Sequence, residues 1–390
     1  MRRFAMSRIR VVALVLVVLA VLASPFWVSH LVWRATPWRA ERVQLVDYSV
    51  PFISGREHSG AIWLLNHDKY RPPTGEQWML VGSHAGYDPT DREHPRPIAS
   101  LDLSETDWLV VTDAYGVYKD DLKQIALERA HMDYSERIFG GLSDTDAQAI
   151  VDLSARGKHI LLEFNSIEEP TTPAARAQIE ELFGITWTGW VGRTFISLYD
   201  TLDVPRWLPR EYLQQYGNDR MPLGPALAMV HRDGRLRIIA DLVPERVTPH
   251  VELTAQGASV LRFAKGGGGY PYWFPVLTAR AGTDVLAEFV LPSLRVMDSL
   301  RAAEAIPLRI PMLTRRTDGG SHRIYLAADL ADAGFPTGRY AFAGLARYRA
   351  ATQAELTAAT QSPERDFWQF YVPVVRALLR APFAENELRR

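Results

Sequence analysis

Along residues 107–195 the apolar positions follow the rhythm of buried strands alternating with amphipathic helices. Trp108-Leu109-Val110-Val111-Thr112 is an apolar run that halts at Asp113, and His159-Ile160-Leu161-Leu162-Glu163-Phe164 is a second that halts at Asn165. Runs this short and continuous predict strands buried on both faces, as in a parallel sheet covered by helices. Between them Ser143 precedes Asp144-Thr145-Asp146, so a capping hydroxyl with an acid three residues on predicts a helix start, with Leu142 in the staple position. Ala147, Ile150 and Val151 share one face of that helix, and Gly157 follows as a left-handed terminator. Thr172-Pro173 opens the next helix, Thr as cap and Pro where its missing N–H costs nothing. Gly184 ends it, and Ile185 and Trp187 alternate with Thr186 and Thr188 as a further strand.

The same reading extends outward. Ala61-Ile62-Trp63-Leu64-Leu65 predicts a first strand ending at Asn66-His67-Asp68, Trp78-Met79-Leu80-Val81 a short second strand, and Leu122 to His131 a helix. Gly82 to Pro97 is a long polar loop. From Ala226 the period becomes two: Leu227 to Val230, a turn at Arg232-Asp233-Gly234, then Leu236 to Ala240 predict a hairpin. Val251 to Leu261, Val285 to Leu291 and Arg323 to Ala328 add strand-like segments, the last stopping at Asp329. Asp366 to Ala381 predicts a closing helix whose apolar face docks on the domain's own sheet. The expected fold class is α/β: a flavodoxin-like parallel-sheet core over 58–225, a β-rich antiparallel insertion and return over 226–345, and a helical segment over 346–390.

The N-terminus changes the picture. Residues 1–10 carry Arg2, Arg3, Arg8 and Arg10, and Val11 to Trp33 follows with no formal charge if His30 is neutral. A retained signal-anchor over 11–33 is the favoured reading, because apolar character continues past Ala23 and about 20 residues span a bilayer. The alternative is a signal peptide cleaved after Ala23. Either way the body is expected outside the cytoplasm; on the favoured reading it is held by the cytoplasmic (inner) membrane through a single pass, with 34–57 as a tether. Cysteine is absent, which excludes disulfides, thiolate metal sites and a thiol nucleophile together. A net charge of -1 gives no electrostatic case for nucleic acid.

The phrase Leu142-Ser143-Asp144-Thr145-Asp146 through Gly157-Lys158-His159-Ile160-Leu161-Leu162 resembles the class I glutamine-amidotransferase-like fold, in particular its non-catalytic relatives in gliding-motility and intraflagellar-transport proteins. The resemblance covers about 90 residues, 108–195, and implies fold only. An active member of that family places a Cys on the turn after a central strand, and this chain has none. The Gly-X-Ser-X-Gly elbow of serine hydrolases is also missing.

In an open α/β sheet, ligands bind beyond the carboxyl ends of the strands. On this reading those ends carry Asn66 and Asp68, Asp113 and Tyr115, Glu163 and Asn165, and Asp329. Asp113 and Glu163 are the candidate catalytic acids, a carboxylate pair suited to a glycosidic bond if their separation fits. Tyr115, Asn165, Arg193, Tyr272 and Trp273 are the candidate ligand-binding residues, with Trp187, Trp190 and Tyr270 beside them, because aromatic rings stack on sugars and Arg193 can take an anionic group. The glycines 266–269 lack Walker spacing. Ten His include no pair at helical ligand spacing, so neither metal nor cofactor is expected. Two functions compete: an exported non-catalytic binding or scaffold protein facing an envelope protein or polysaccharide, and an envelope carbohydrate-active hydrolase using Asp113 and Glu163.

Overall fold

The computed structural model describes residues 8–73, 77–123, 135–200, 203–217, 220–262, 266–292, 295–333, 337–353 and 363–388. The segment 122–131, expected as a helix, lies almost wholly outside them. The strands are β1 Val43–Asp47, β2 Ala85–Gly86, β3 Trp108–Asp113, β4 Val117–Tyr118, β5 Arg137–Phe139, β6 His159–Glu163, β7 Ile185–Phe195, β8 Ala226–His231, β9 Leu236–Ala240, β10 His250–Leu253, β11 Phe274–Ala279, β12 Asp284–Val290, β13 Arg309–Asp318 and β14 Ser321–Leu326. The helices are α1 Arg8–Leu22, α2 Ser24–Ala35, α3 Ser59–His67, α4 Asp144–Ala155, α5 Pro173–Phe183, α6 Trp207–Tyr216, α7 Ala255–Leu261, α8 Arg295–Glu304, α9 Leu345–Thr352, α10 Pro363–Asp366 and α11 Val372–Leu388.

The main sheet has the order β10-β12-β13-β14-β6-β3-β1-β2. From β14 to β2 neighbouring strands run parallel; from β10 to β14 they run antiparallel. Trp108 to Val111 pair in register with His159 to Leu162, as the apolar runs predict. Every residue of β6, and Trp108 to Thr112 of β3, is buried, so both faces of the centre are covered. α3 and α11 meet over Val110 on one face, and α4 and α5 pack together against β6 and β14. Local signals act as expected here: Ser143 and Asp146 form a reciprocal capping box. Thr172 accepts the Ala175 N–H at 3.1 Å, and Gly184 ends α5 at φ 65°. β7 is an exception of placement. It leaves the parallel sheet and joins a second, antiparallel sheet in the order β11-β7-β8-β9.

Several expectations need correction. Ala61–Leu65 is helical, part of α3, whose residues Gly60 to Asn66 are all buried. A helix enclosed on every side has no polar face, so its apolar run cannot be told from a buried strand. Val43–Asp47, expected in the tether, is a fully buried central strand between β2 and β3. Trp78-Met79-Leu80-Val81 forms no strand; Trp78 is held by Asn66, whose side chain donates to its carbonyl at 3.0 Å and accepts its N–H at 3.2 Å. Val251 to Leu261 splits into β10 and α7 at the Thr254 cap. Asn66 and Asp68, expected at the strand edge, belong to the end of α3, where Asp68 pairs with Arg376 at 2.7 Å and Arg380 at 3.0 Å. The closing helix docks on the sheet as expected, entered through a π-helical turn at Phe367–Tyr371. Among the described residues no single helix is long and apolar enough to cross a membrane. α1 and α2 meet instead at a bend of 53° and together pass the length and composition test.

Candidate functional site

The parallel strands β1, β3, β6 and β14 all end at one edge of the sheet, which is where their sequences change from apolar to acidic. Over that edge the second sheet, α6 and α10 rise to enclose a cleft of about 1200 Å³. That exceeds the ~300–1,000 Å³ of most small-ligand pockets, so the space suits an extended ligand. Asp113, Asn165, Glu168 and Asp329 line it at and beyond the strand ends of the main sheet, Trp187, Arg193, Trp207 and Trp273 form a wall contributed by β7, α6 and the entry to β11, and Tyr115 and Tyr272 complete the lining.

Beneath the rim, Asp47 ends β1 with no exposure. It accepts the Ser49 N–H at 2.8 Å, the Thr112 hydroxyl at 2.8 Å and His58 Nδ1–H at 2.9 Å. His58 donates its other ring nitrogen to the Leu80 carbonyl at 2.7 Å. Two acceptors on one imidazole call for a proton on each nitrogen. Burial alone lowers the His58 pKa, but the hydrogen bond and charge of Asp47 outweigh it and leave it raised. A buried ion pair therefore underlies the cleft floor.

The acids above it are held in the opposite sense. Burial pushes the Asp113 carboxyl well above the usual range, and the Asp47 carboxylate adds to the effect. Asp113 accepts the Tyr115 N–H at 2.7 Å, which fixes its direction. Burial, then the neighbouring Asp332 and Asp113, raise Asp329 likewise. Glu168 is 3% exposed and pushed up to about 7, again chiefly by burial; it accepts the Ile167 N–H at 3.2 Å and the Tyr325 hydroxyl at 3.3 Å. Burial and like charge thus shift these carboxyls in one direction, toward the protonated form, which is the direction a general acid needs. The turn that aims this rim is strained: Phe164, between Glu163 and Asn165, sits at φ 34°, a left-handed setting costing of order 1–2 kcal/mol for a bulky side chain.

On the aromatic wall, Trp273 lies 6.3 Å from Trp207 in a stacked pair and edge-on to Phe195 at 6.2 Å. The Arg193 guanidinium sits 4.7 Å over the Phe195 ring and 5.8 Å over Trp273, and Asp203 pairs with one of its terminal nitrogens. Trp187 donates to the Trp190 carbonyl at 2.8 Å and carries Arg176 over its ring at 4.8 Å. Tyr272 is raised to about 12 by burial and by Asp329.

Of the residues singled out from the sequence, Asp113, Tyr115, Asn165, Arg193, Tyr272, Trp273 and Trp187 line this one cleft. Glu163 does not. Its carboxyl is wholly buried behind the rim, raised well above its usual range by burial, and accepts the Tyr371 hydroxyl at 3.1 Å. Asp113 and Glu163 thus do not face each other across open space. Trp190 and Tyr270 are buried packing residues. Sequence reading missed Glu168, Trp207, Glu211 and Asp332. Glu168 is five residues beyond the end of β6, close enough for a strand-end argument to have reached it; α6 and its Trp207 carry no such signal. Among the described residues no group of three or more His, Cys, Asp or Glu is disposed to hold a metal ion.

No protein-family model matches the chain, and no curated protein matches it in sequence. Solved structures give distant likenesses. A ThuA-like protein from Bacteroides uniformis is 8% identical, covering 89% of this chain and 94% of that one, with a TM-score of 0.36. An IFT52 N-terminal domain is 10% identical, covering 58% of this chain and 68% of that one, with a TM-score of 0.28.

 A β-galactosidase from Rahnella sp. R3 is 10% identical over 76% of this chain and 30% of that one, with a TM-score of 0.33. The chain covers only 22% to 30% of the length of the two β-galactosidases and the mannosidase among these structures. At TM-scores of 0.28 to 0.36 none of these three likenesses fixes an activity.

Proposed function

We propose that the cleft binds a carbohydrate chain and that the protein is a carbohydrate-active hydrolase, tethered through its N-terminal apolar segment to the outer face of the cytoplasmic membrane. One observation carries the reading: the rings of Trp187, Trp207 and Trp273 share one extended cleft with carboxyls that burial shifts toward their protonated form. Sugar rings present apolar C–H faces that stack on indoles, and hydroxyls that carboxyls and Asn165 can bind. Cleavage of a glycosidic bond needs a protonated acid at the leaving oxygen and a second carboxylate for water or the anomeric carbon. Asp113 is the proton donor in this proposal. Glu163 is set aside because Tyr371 and the rim separate it from the cleft, and Glu168, ionising near 7, takes the second role. The lining holds eight acidic side chains against three arginines, so a neutral or amino-bearing glycan suits it better than a uronate or sulfated one.

The test is a panel of envelope polysaccharides assayed for binding and for release of new reducing ends. Trp273→Ala should weaken binding by roughly tenfold. Asp113→Asn should keep binding and lower turnover by roughly 10²–10⁴. Binding of no glycan by the unaltered protein would end the proposal. A second reading, a non-catalytic binding protein, is favoured by the cleft acids Asp113, Asp329 and Glu168 all being raised together rather than split. It stands if glycans bind and none is cleaved.

A further inference from the structure

The apolar N-terminal segment divides into two helices with different surroundings. Val11 to Leu22 of α1 is apolar and exposed on every side. α2 is docked on one face. Ser29 donates to the Ala343 carbonyl at 2.7 Å, His30 Nδ1 bonds the Ala341 carbonyl at 2.8 Å, and Trp33 donates to the His67 carbonyl at 2.9 Å. Trp33 also packs edge-on to Tyr340 at 5.7 Å and carries the Lys69 ammonium over its ring at 4.3 Å. Lys69 donates to the Arg34 and Thr36 carbonyls, closing the end of α2. The opposite face is apolar and open: Trp27, Val28, Leu31 and Val32 lie on it, Leu31 54% exposed, while Phe26, one turn before His30, is 70% exposed. Trp27 reaches back across the bend to donate to the Ala20 carbonyl at 3.2 Å.

Resting on the membrane attachment proposed above, we infer that α2 is an interfacial helix, bolted to the body by one face and lying in the headgroup boundary of the bilayer by the other. The dimensions agree. The apolar part of α1, Val11–Leu22, extends about 18 Å at 1.5 Å per residue, short of a hydrocarbon core of ~30 Å. A helix lying about 5–10 Å below the headgroups makes up most of the difference. With α1 tilted by about 20°, the 53° bend brings α2 to within about 20° of the membrane plane. The occupant of the open face is lipid, because that face follows the all-apolar α1 with no charged residue between, the Ser24 hydroxyl at the junction being bonded to the Val21 carbonyl, and carries Trp27 where indoles favour the interface. The consequence is a body held in one orientation on the surface rather than swinging on a tether.

The chain has no cysteine, so single nitroxide labels can be placed in the full-length protein without background. Val15→Cys, Trp27→Cys, Leu31→Cys and Ser104→Cys are reconstituted in phosphatidylethanolamine–phosphatidylglycerol vesicles, and collisions with oxygen and with a nickel chelate are compared. The expected result is Val15 deepest, Trp27 and Leu31 about 5–10 Å below the phosphates, and Ser104 in water. Labels at 27 and 31 as water-accessible as 104, as deep as 15, or shielded from both reagents by a protein partner would overturn the inference. A label at 15 outside lipid, or a purified chain beginning after Ala23, would instead overturn the membrane attachment itself.

Discussion

Replacing Glu168 by Gln tests the electrostatics of the cleft floor directly. Glu168 is 3% exposed, and burial pushes its carboxyl from 4.5 up to about 7. A folded-state pKa above the unfolded one means that the native state favours the proton. The stabilisation is complete below about 4.5 and is lost as pH rises through about 7. At 1.36 kcal/mol for each pH unit, the interval from 4.5 to about 7 amounts to about 3 kcal/mol. Glutamine keeps the shape and cannot ionise, so it should remove that loss. In equilibrium urea unfolding of the full chain in detergent, the variant should be within about 1 kcal/mol of the parent at pH 5. At pH 8.5 it should gain on the parent by up to about 3 kcal/mol relative to that starting point. The comparison cancels every other titrating group, including His84 and His159, which burial lowers to about 4 and which act in the opposite direction. A difference between variant and parent that stays constant from pH 5 to 8.5 would refute the claim that Glu168 is protonated in the folded protein.

Further outcomes are expected from single substitutions read by the same unfolding assay. His58→Ala leaves Asp47 as a buried charge without its cation and should cost about 3–5 kcal/mol. Tyr371→Phe removes the hydroxyl that Glu163 accepts at 3.1 Å and should cost about 1–3 kcal/mol, with the cleft residues unaltered. Thr172→Ala strips the cap of α5 and should cost about 1 kcal/mol. Gly257→Ala should cost more than the cap, because a Cβ there would lie 1.8 Å from the Leu286 carbonyl oxygen and only a backbone shift can make room.

How much of this was legible beforehand depended on whether burial left a pattern. β3, β6, α4 and α5 were readable because their apolar runs were bounded by chemistry with a fixed meaning: the Ser143 box, the Thr172-Pro173 start and the Gly184 terminator. α3 was misread because all of Gly60 to Asn66 is buried, so the polar positions that reveal a helical period are missing. β1 was overlooked because Val43–Asp47 is short and lies among polar residues next to an apolar segment that invites a tether. The strand-end rule gathered Asp113, Tyr115 and Asn165 correctly at one edge, since β3 and β6 are parallel. The same rule misplaced Asn66 and Asp68 once their strand proved to be a helix. It also could not separate Asp113 from Glu163: adjacent positions at a strand end point to opposite faces, and a single residue of register decides between cleft and interior. Trp207 and Glu211 reach the cleft through the path of the chain between β7 and β8, which no local periodicity encodes.

The closing segment has a consequence for the order of assembly. Tyr371, Val375 and Leu379 sit on Val110 at the heart of the sheet, and Tyr371 holds Glu163, yet Tyr371 follows Glu163 by 208 residues in the chain. Until they arrive, one side of β3 stays bare and a buried acid lacks its donor. The polypeptide therefore cannot complete its interior before residues 371–379 have left the ribosome.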